Sequence, residues 1–130
     1  VEKWPGVGSR DSILYYNGLT LKREFTEWNE KKGYKLNIGK GKLAAANVLW
    51  EINSINNNAS TLSIGIKLYS DVILFKYLKV FRIILIYFFL KPKMSAYITS
   101  VLKGFKYYAE TAESVQKNQF GFNSMFSIKY

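Results

Sequence analysis

The chain of 130 residues contains no cysteine and no histidine. Without cysteine there is no disulfide framework, no thiolate nucleophile and no cysteine zinc site. Without histidine, the usual general base near neutral pH and the commonest metal ligand are both missing. Serine–histidine and cysteine–histidine mechanisms are therefore excluded within this chain. Proline is scarce, at two residues, and only nine carboxylates face nineteen basic side chains. Long apolar runs are also lacking. The most apolar stretch, Ile83–Leu90, has eight residues, whereas a membrane span needs about 20. No basic segment followed by an apolar run opens the chain, so no secretory signal is visible and a cytoplasmic location is expected.

What is present is ordinary globular composition, 48% hydrophobic and 22% charged, which excludes a disordered chain. This length suits one core that buries roughly two thirds of the unfolded surface without a metal or disulfide. A net charge of +10 can attract nucleic acid, membranes or acidic ligands. Only Arg10, Arg23 and Arg82 are arginines, and the lysines are spread along a chain rich in Asn, Ile and Tyr. The charge therefore reads as overall composition rather than as a patch. A first residue of Val rather than Met suggests processing or a piece of a longer protein.

The first half reads as β. Val7–Tyr16 and Leu19–Trp28 flank Asn17-Gly18, the strongest short-range hairpin signal, which predicts a two-residue turn with positive φ at both positions. Leu19, Leu21 and Phe25 share one face of the second strand; Lys22, Glu24 and Thr26 share the other. After the polar turn at residues 29–33, Tyr34, Leu36 and Ile38 alternate with Lys35 and Asn37 as a third strand. Gly39-Lys40-Gly41-Lys42 lacks P-loop spacing and reads as a surface turn. A fourth strand over 43–55 puts Val48, Trp50 and Ile52 on one face. Asn56-Asn57-Asn58-Ala59 is a turn, and in the fifth strand Leu62, Ile64, Ile66 and Leu68 point one way. Five strands joined by short turns predict an antiparallel meander with one buried face.

After Ser70 the period changes. Met94, Tyr97, Ile98, Val101, Leu102, Phe105, Tyr108, Ala109 and Ala112 fall at helical spacing. They predict a long amphipathic helix with Pro92 in its first turn. Residues 71–90 read as an earlier helix or an irregular apolar crossing. In the helical case Lys76, Lys79 and Arg82 form one basic face. The tail from Asn118 carries Phe120, Phe122, Met125, Phe126 and Tyr130 and is expected to pack back on a single domain spanning 1–117. Strands followed by a long helix make an α+β layer pair. A curved antiparallel sheet wrapped around a long C-terminal helix leaves a natural apolar cavity between them.

Three stretches carry a family resemblance. The first is Gly18–Gly33 (GLTLKREFTEWNEKKG), with Glu24-Phe25-Thr26-Glu27-Trp28 at its centre. The second is Trp50-Glu51-Ile52 with Ser60-Thr61-Leu62, and the third is Leu102–Tyr108 (LKGFKYY). Together they resemble the START-like, Bet v 1-like superfamily, in its SRPBCC polyketide cyclase/dehydrase and lipid-transport branch. The resemblance reaches to about Glu113, and Trp4-Pro5-Gly6-Val7 is similar to the segment that leaves the family's early helices. The family's first strand and two short helices have no counterpart here, so the chain reads as an N-terminally truncated member. The resemblance implies a helix-grip fold that binds a hydrophobic small molecule or lipid between sheet and helix.

Candidate wall residues on the strands are Leu21, Phe25, Leu36, Trp50, Ile64 and Ile66, with the hydroxyl of Tyr16, Tyr34 or Tyr97 to orient a polar end. Tyr97, Val101, Phe105 and Tyr108 are the candidates on the helix. The same alternation also describes plain core packing. Arg23 interrupts the apolar face and needs a partner: a ligand carboxylate, Glu51, or solvent at a bulge. Binding is favoured over catalysis. A cyclase or dehydratase using the same cavity would have to work with Glu24, Glu27, Glu51 or tyrosine, without metal or other cofactor. A weaker partner is an anionic membrane surface met by residues 72–90. Nucleic acid ranks last, because no recognition motif for it is present.

Overall fold

In the computed structural model, residues 5–40 and 42–127 are described. Gly41 of the glycine–lysine turn, Trp4 of the early motif and Tyr130 of the tail lie outside them. The chain has the α+β order expected of a helix-grip fold, a curved five-strand antiparallel sheet followed by a long helical run. The strands are β1 (Arg10–Leu14), β2 (Thr20–Asn29), β3 (Gly33–Lys40), β4 (Leu43–Asn56) and β5 (Ala59–Leu68). They pair in sequence order, β1-β2-β3-β4-β5, which is the expected meander. By compactness the chain forms two units. The sheet unit is Thr20–Lys76 with the chain up to Leu14; the helical unit is Tyr15–Leu19 with Tyr77 onward.

The alternation of side chains carries the sheet. In β5, Leu62, Ile64, Ile66 and Leu68 are half-buried while Thr61, Ser63, Gly65 and Lys67 are exposed. Phe25, Leu36 and Val48 form the buried core of the unit. Direct cross-strand register joins them, Phe25 to Leu36, Leu36 to Val48 and Val48 to Ile66. Beyond Glu51, which pairs with Gly33 at the start of β3, β4 and β5 run on as an exposed two-strand ribbon. It is closed at Asn56, whose Oδ1 accepts from the Asn58 N–H at 2.9 Å. Gly33 is required at the start of β3. Its φ is +132°, and a Cβ there would lie 1.9 Å from the Trp50 carbonyl oxygen.

Two strand expectations are corrected. The first strand runs only Arg10–Leu14, not Val7–Tyr16, because Gly6 and Gly8 take positive φ. Ladder bonds nevertheless continue past its start, Gly8 N–H to the Phe25 carbonyl at 2.8 Å and Phe25 N–H to the Ser9 carbonyl at 2.9 Å. The first hairpin does not use a two-residue turn with both φ positive. Gly18 N–H donates to the Tyr15 carbonyl, Tyr15 N–H donates to the Leu19 carbonyl, and of Asn17 and Gly18 only Gly18 has positive φ. This is a three-residue loop, a tight turn followed by a glycine bulge. Asn17 serves it by accepting the Leu19 N–H on Oδ1 at 3.0 Å.

After β5 comes α1 (Ser70–Ile73), one turn at the end of the sheet unit. The helical unit holds α2 (Lys79–Leu85), a π-helical segment Ile86–Leu90, and α3 (Lys91–Thr111) without a break. Pro92 lies in the first turn of α3, as expected, although the helical run enters that turn directly from the π-helical segment. It cannot donate to the carbonyl four residues back and would crowd it. The widened segment just before it absorbs both problems, with Lys91 N–H donating to the Ile86 carbonyl, five residues back. Lys76 precedes α2, so the three cations do not share one helical face. Arg82 instead turns its Nε to the Tyr77 carbonyl at 2.7 Å.

The aromatic tail packs on α3. Phe126 is buried, its ring centroid 4.5 Å from Tyr97 and 4.6 Å from Tyr15 of the β1–β2 loop. Asn17 Nδ2 donates to the Met125 carbonyl at 2.6 Å, and Asn123 Nδ2 to the Lys93 carbonyl at 3.0 Å. Ser100 Oγ donates to the Phe120 carbonyl at 2.8 Å. α3 ends on Ala112, which takes the left-handed conformation (φ 58°) that glycine usually supplies.

Candidate functional site

The register of the sheet sorts its apolar face into three rows that cross the strands. One row is Asp11, Arg23, Ile38, Ala46 and Leu68. The middle row is Phe25, Leu36, Val48 and Ile66. The third is Trp28, Tyr34, Trp50 and Ile64. Adjacent rows lie two residues, roughly 7 Å, apart along the strands. Direct cross-strand pairs of this type contribute about 0.2–1 kcal/mol each.

The third row is a run of stacked rings. Trp28 and Tyr34 lie 5.6 Å apart with planes 14° from parallel; Tyr34 and Trp50 lie 5.7 Å apart at 28°. Phe25 of the middle row meets Trp28 and Tyr34 edge-on, at 5.5 and 5.3 Å. Such contacts add about 0.5–1.5 kcal/mol each beyond area burial. A β-bulge builds the row. Phe25 opposes Leu36 and Glu27 opposes Lys35, so Thr26 is the extra residue of β2. Its Oγ1 donates to the Lys35 carbonyl at 3.2 Å. The extra residue reverses the alternation, so Trp28 joins Phe25's face and Glu27 points away to Lys35, 2.6 Å distant.

At the opposite end of this face stands Arg23. Its side-chain partner directly across β1 and β2 is Asp11 rather than Glu51. Nε donates to Asp11 Oδ1 at 2.6 Å and the terminal guanidinium nitrogen donates to Oδ2. The two side chains are only 25% and 14% exposed, so the two-pronged pair is largely withdrawn from water. The guanidinium also lies 5.5 Å from the Phe25 ring centroid. Burial pushes the Tyr34 phenol above its ordinary value. The Arg23 charge draws it back and the Asp11 charge opposes that.

An open cleft of about 890 Å³ crosses β1, β2, β3 and the start of β4. Its wall holds the Asp11–Arg23 pair, the Arg10–Glu24 pair, Lys22 and Lys42. Among the described residues neither Lys22 nor Lys42 is in an ion pair, which leaves the cleft net positive. The face itself carries the aromatic row at one end and the Asp11–Arg23 pair at the other.

All eight candidate residues named on the strands share this face: Leu21, Arg23, Phe25, Tyr34, Leu36, Trp50, Ile64 and Ile66. Phe25 and Leu36 are fully buried and act as core; the other six are half-buried. Of the helical candidates, Tyr97 and Val101 are half-buried in the helical unit. Phe105 and Tyr108 are 48% and 58% exposed. The packed stripe of α3 turns instead through Gly104, which meets Val115 and Phe120, and Tyr107, which meets Phe120. Sequence reading missed Trp28, hidden by the bulge, and Asp11, whose partnership depends on register. The candidate acids do not converge. Glu24 pairs with Arg10 at 2.8 Å, Glu27 with Lys35, and Glu51 is exposed beside Gly33. No cluster of three metal-ligating side chains occurs among the described residues. Comparison with protein-family models, curated proteins and solved structures finds no match to the chain.

Proposed function

We propose that the sheet unit binds a hydrophobic small molecule or lipid, laid along the row Trp28, Tyr34, Trp50 and Ile64. The observation that carries this reading is the row itself: three rings in contact across three adjacent strands, none of them fully buried. A core needs no such half-open aromatic surface, and flat rings are good partners for acyl chains and fused ring systems. The resemblance of residues 18–33 to the START-like superfamily supports the same class of ligand.

Affinity on this reading comes from apolar burial, at about 25 cal/mol per Å². Orientation comes from the Tyr34 hydroxyl within the row, and the Asp11–Arg23 pair bounds the same face. The test is energy transfer from tryptophan to a fluorescent fatty acid. Saturable transfer is expected, falling at least tenfold in affinity for Trp28→Ala and little for the exposed Phe105→Ala. Equal affinity for wild type and Trp28→Ala would remove the row from the site.

A further inference from the structure

The helical unit carries a second feature that the sheet face does not explain. Val80, Ile83, Ile84, Tyr87 and Phe88 recur at i, i+3, i+4, i+7 and i+8 along α2 and the π-helical segment, which aligns them on one face. Soluble helices turn such a stripe inward. Here all five side chains are between 43% and 74% exposed, while Leu85, Ile86 and Leu90 on the other side are half-buried. Phe81 and Phe89 widen the exposed surface.

We propose that this stripe docks on an anionic lipid bilayer, lying in its interface. Charge selects the occupant. No Asp or Glu occurs from Val72 through Ala109, so the charged side chains of the stripe's own segment are all cationic. Lys79 stands at one end and Lys91 and Lys93 at the other, all exposed. Lys91 Nζ sits 4.1 Å over the Tyr87 ring, at the boundary between apolar and charged surface. That order matches the depth profile of a leaflet, with aliphatic groups and Phe88 among acyl chains, Tyr87 at the headgroups and lysines at phosphate. A second copy of the chain would bring the same cations together with no carboxylate in the segment to pair them. Residues 83–90 also carry no hydrogen-bonding side chain except the Tyr87 hydroxyl, unlike the polar rim of a protein interface. The segment is not a span, since no helix among the described residues is long and apolar enough to cross a membrane. The stripe lies wholly within the helical unit, and its docking does not depend on a ligand at the sheet.

The experiment is co-sedimentation of the full chain with vesicles of phosphatidylcholine alone and with about 30 mol% phosphatidylglycerol added. Binding at least tenfold tighter to the anionic vesicles is expected, weakening as salt rises to about 0.5 M. Ile84→Ser with Phe88→Ser should lower it at least tenfold with unchanged circular dichroism. Lys79→Gln with Lys91→Gln should lower it roughly fivefold per charge on anionic vesicles only. Equal binding to both vesicle types, or wild-type binding by the apolar variant, overturns the proposal. So does a dimer in light scattering that Phe88→Ser dissociates, because a second copy then covers the stripe. Should the apolar variant fail to fold, the lysine variant decides, and its unchanged binding to anionic vesicles would be the contradicting result.

Discussion

Trp28 and Tyr34 stand directly opposite each other across β2 and β3, their rings 5.6 Å apart and nearly parallel. The contact exists because Thr26 is an extra residue in β2; without it Trp28 would face the other way. Tyr34 passes the stack on to Trp50. Replacing Trp28 by Ala should therefore cost about 2 kcal/mol, the lower end for large aromatic truncations because the ring is half-buried. Urea unfolding of the variant measures it. A loss below about 0.5 kcal/mol would mean that the stack holds little.

The Asp11–Arg23 pair is withdrawn from water on an otherwise apolar face. Removing one partner should cost more than removing both. Arg23→Met is expected to destabilise by about 2–3 kcal/mol, leaving the Asp11 carboxylate without its principal partner. Arg23→Met with Asp11→Leu should recover most of that loss. A double-mutant cycle in urea reads the coupling, and strictly additive losses would contradict a coupled pair.

Tyr34 gives the sheet a pH limit on the alkaline side. Its phenol is raised above the ordinary value, chiefly by burial. The folded state thus holds its proton more tightly than the unfolded chain, whose tyrosines titrate near about pH 10. The contribution is fully present below that pH and is lost as pH rises through the folded value. Stability of the native chain should fall more steeply above about pH 10 than that of Tyr34→Phe. Unfolding curves measured from neutral to alkaline pH check this, and superimposable slopes would deny it.

Backbone conformation yields a pair of opposite effects. Gly33→Ala places a Cβ against the Trp50 carbonyl at positive φ and should cost about 2 kcal/mol or more. Ala112→Gly relieves a left-handed residue at the end of α3 and should stabilise by about 0.5–1 kcal/mol. Thermal melts of the two variants should move in opposite directions. A higher melting temperature for Gly33→Ala would show that the β3 start can relax.

The five strands were legible in the sequence because each apolar face repeats every second residue, as Leu62 to Leu68 does. The long helix was legible from Met94 to Leu102 for the same reason at a period of 3.6. Four things were not. A bulge is a local change of register, so nothing in the pattern of β2 announces that Trp28 changes face. The Asp11–Arg23 contact is set by hairpin register, and Asn17-Gly18 signals a two-residue turn where a three-residue loop forms and shifts that register. Pro92 marks the first turn of α3, but the π-helical segment that joins that turn to α2 has no sequence signature. Phe105 and Tyr108 kept helical spacing while the packed face turned to Tyr107 under the tail.

The most direct test of the aromatic row is native mass spectrometry of the intact protein as purified, followed by addition of a fatty acid. A stoichiometric apolar adduct on the folded chain is the predicted result, with its loss in a folded Trp28→Ala, Trp50→Ala variant. A folded wild-type chain that carries no adduct, and takes up none on addition, would contradict it.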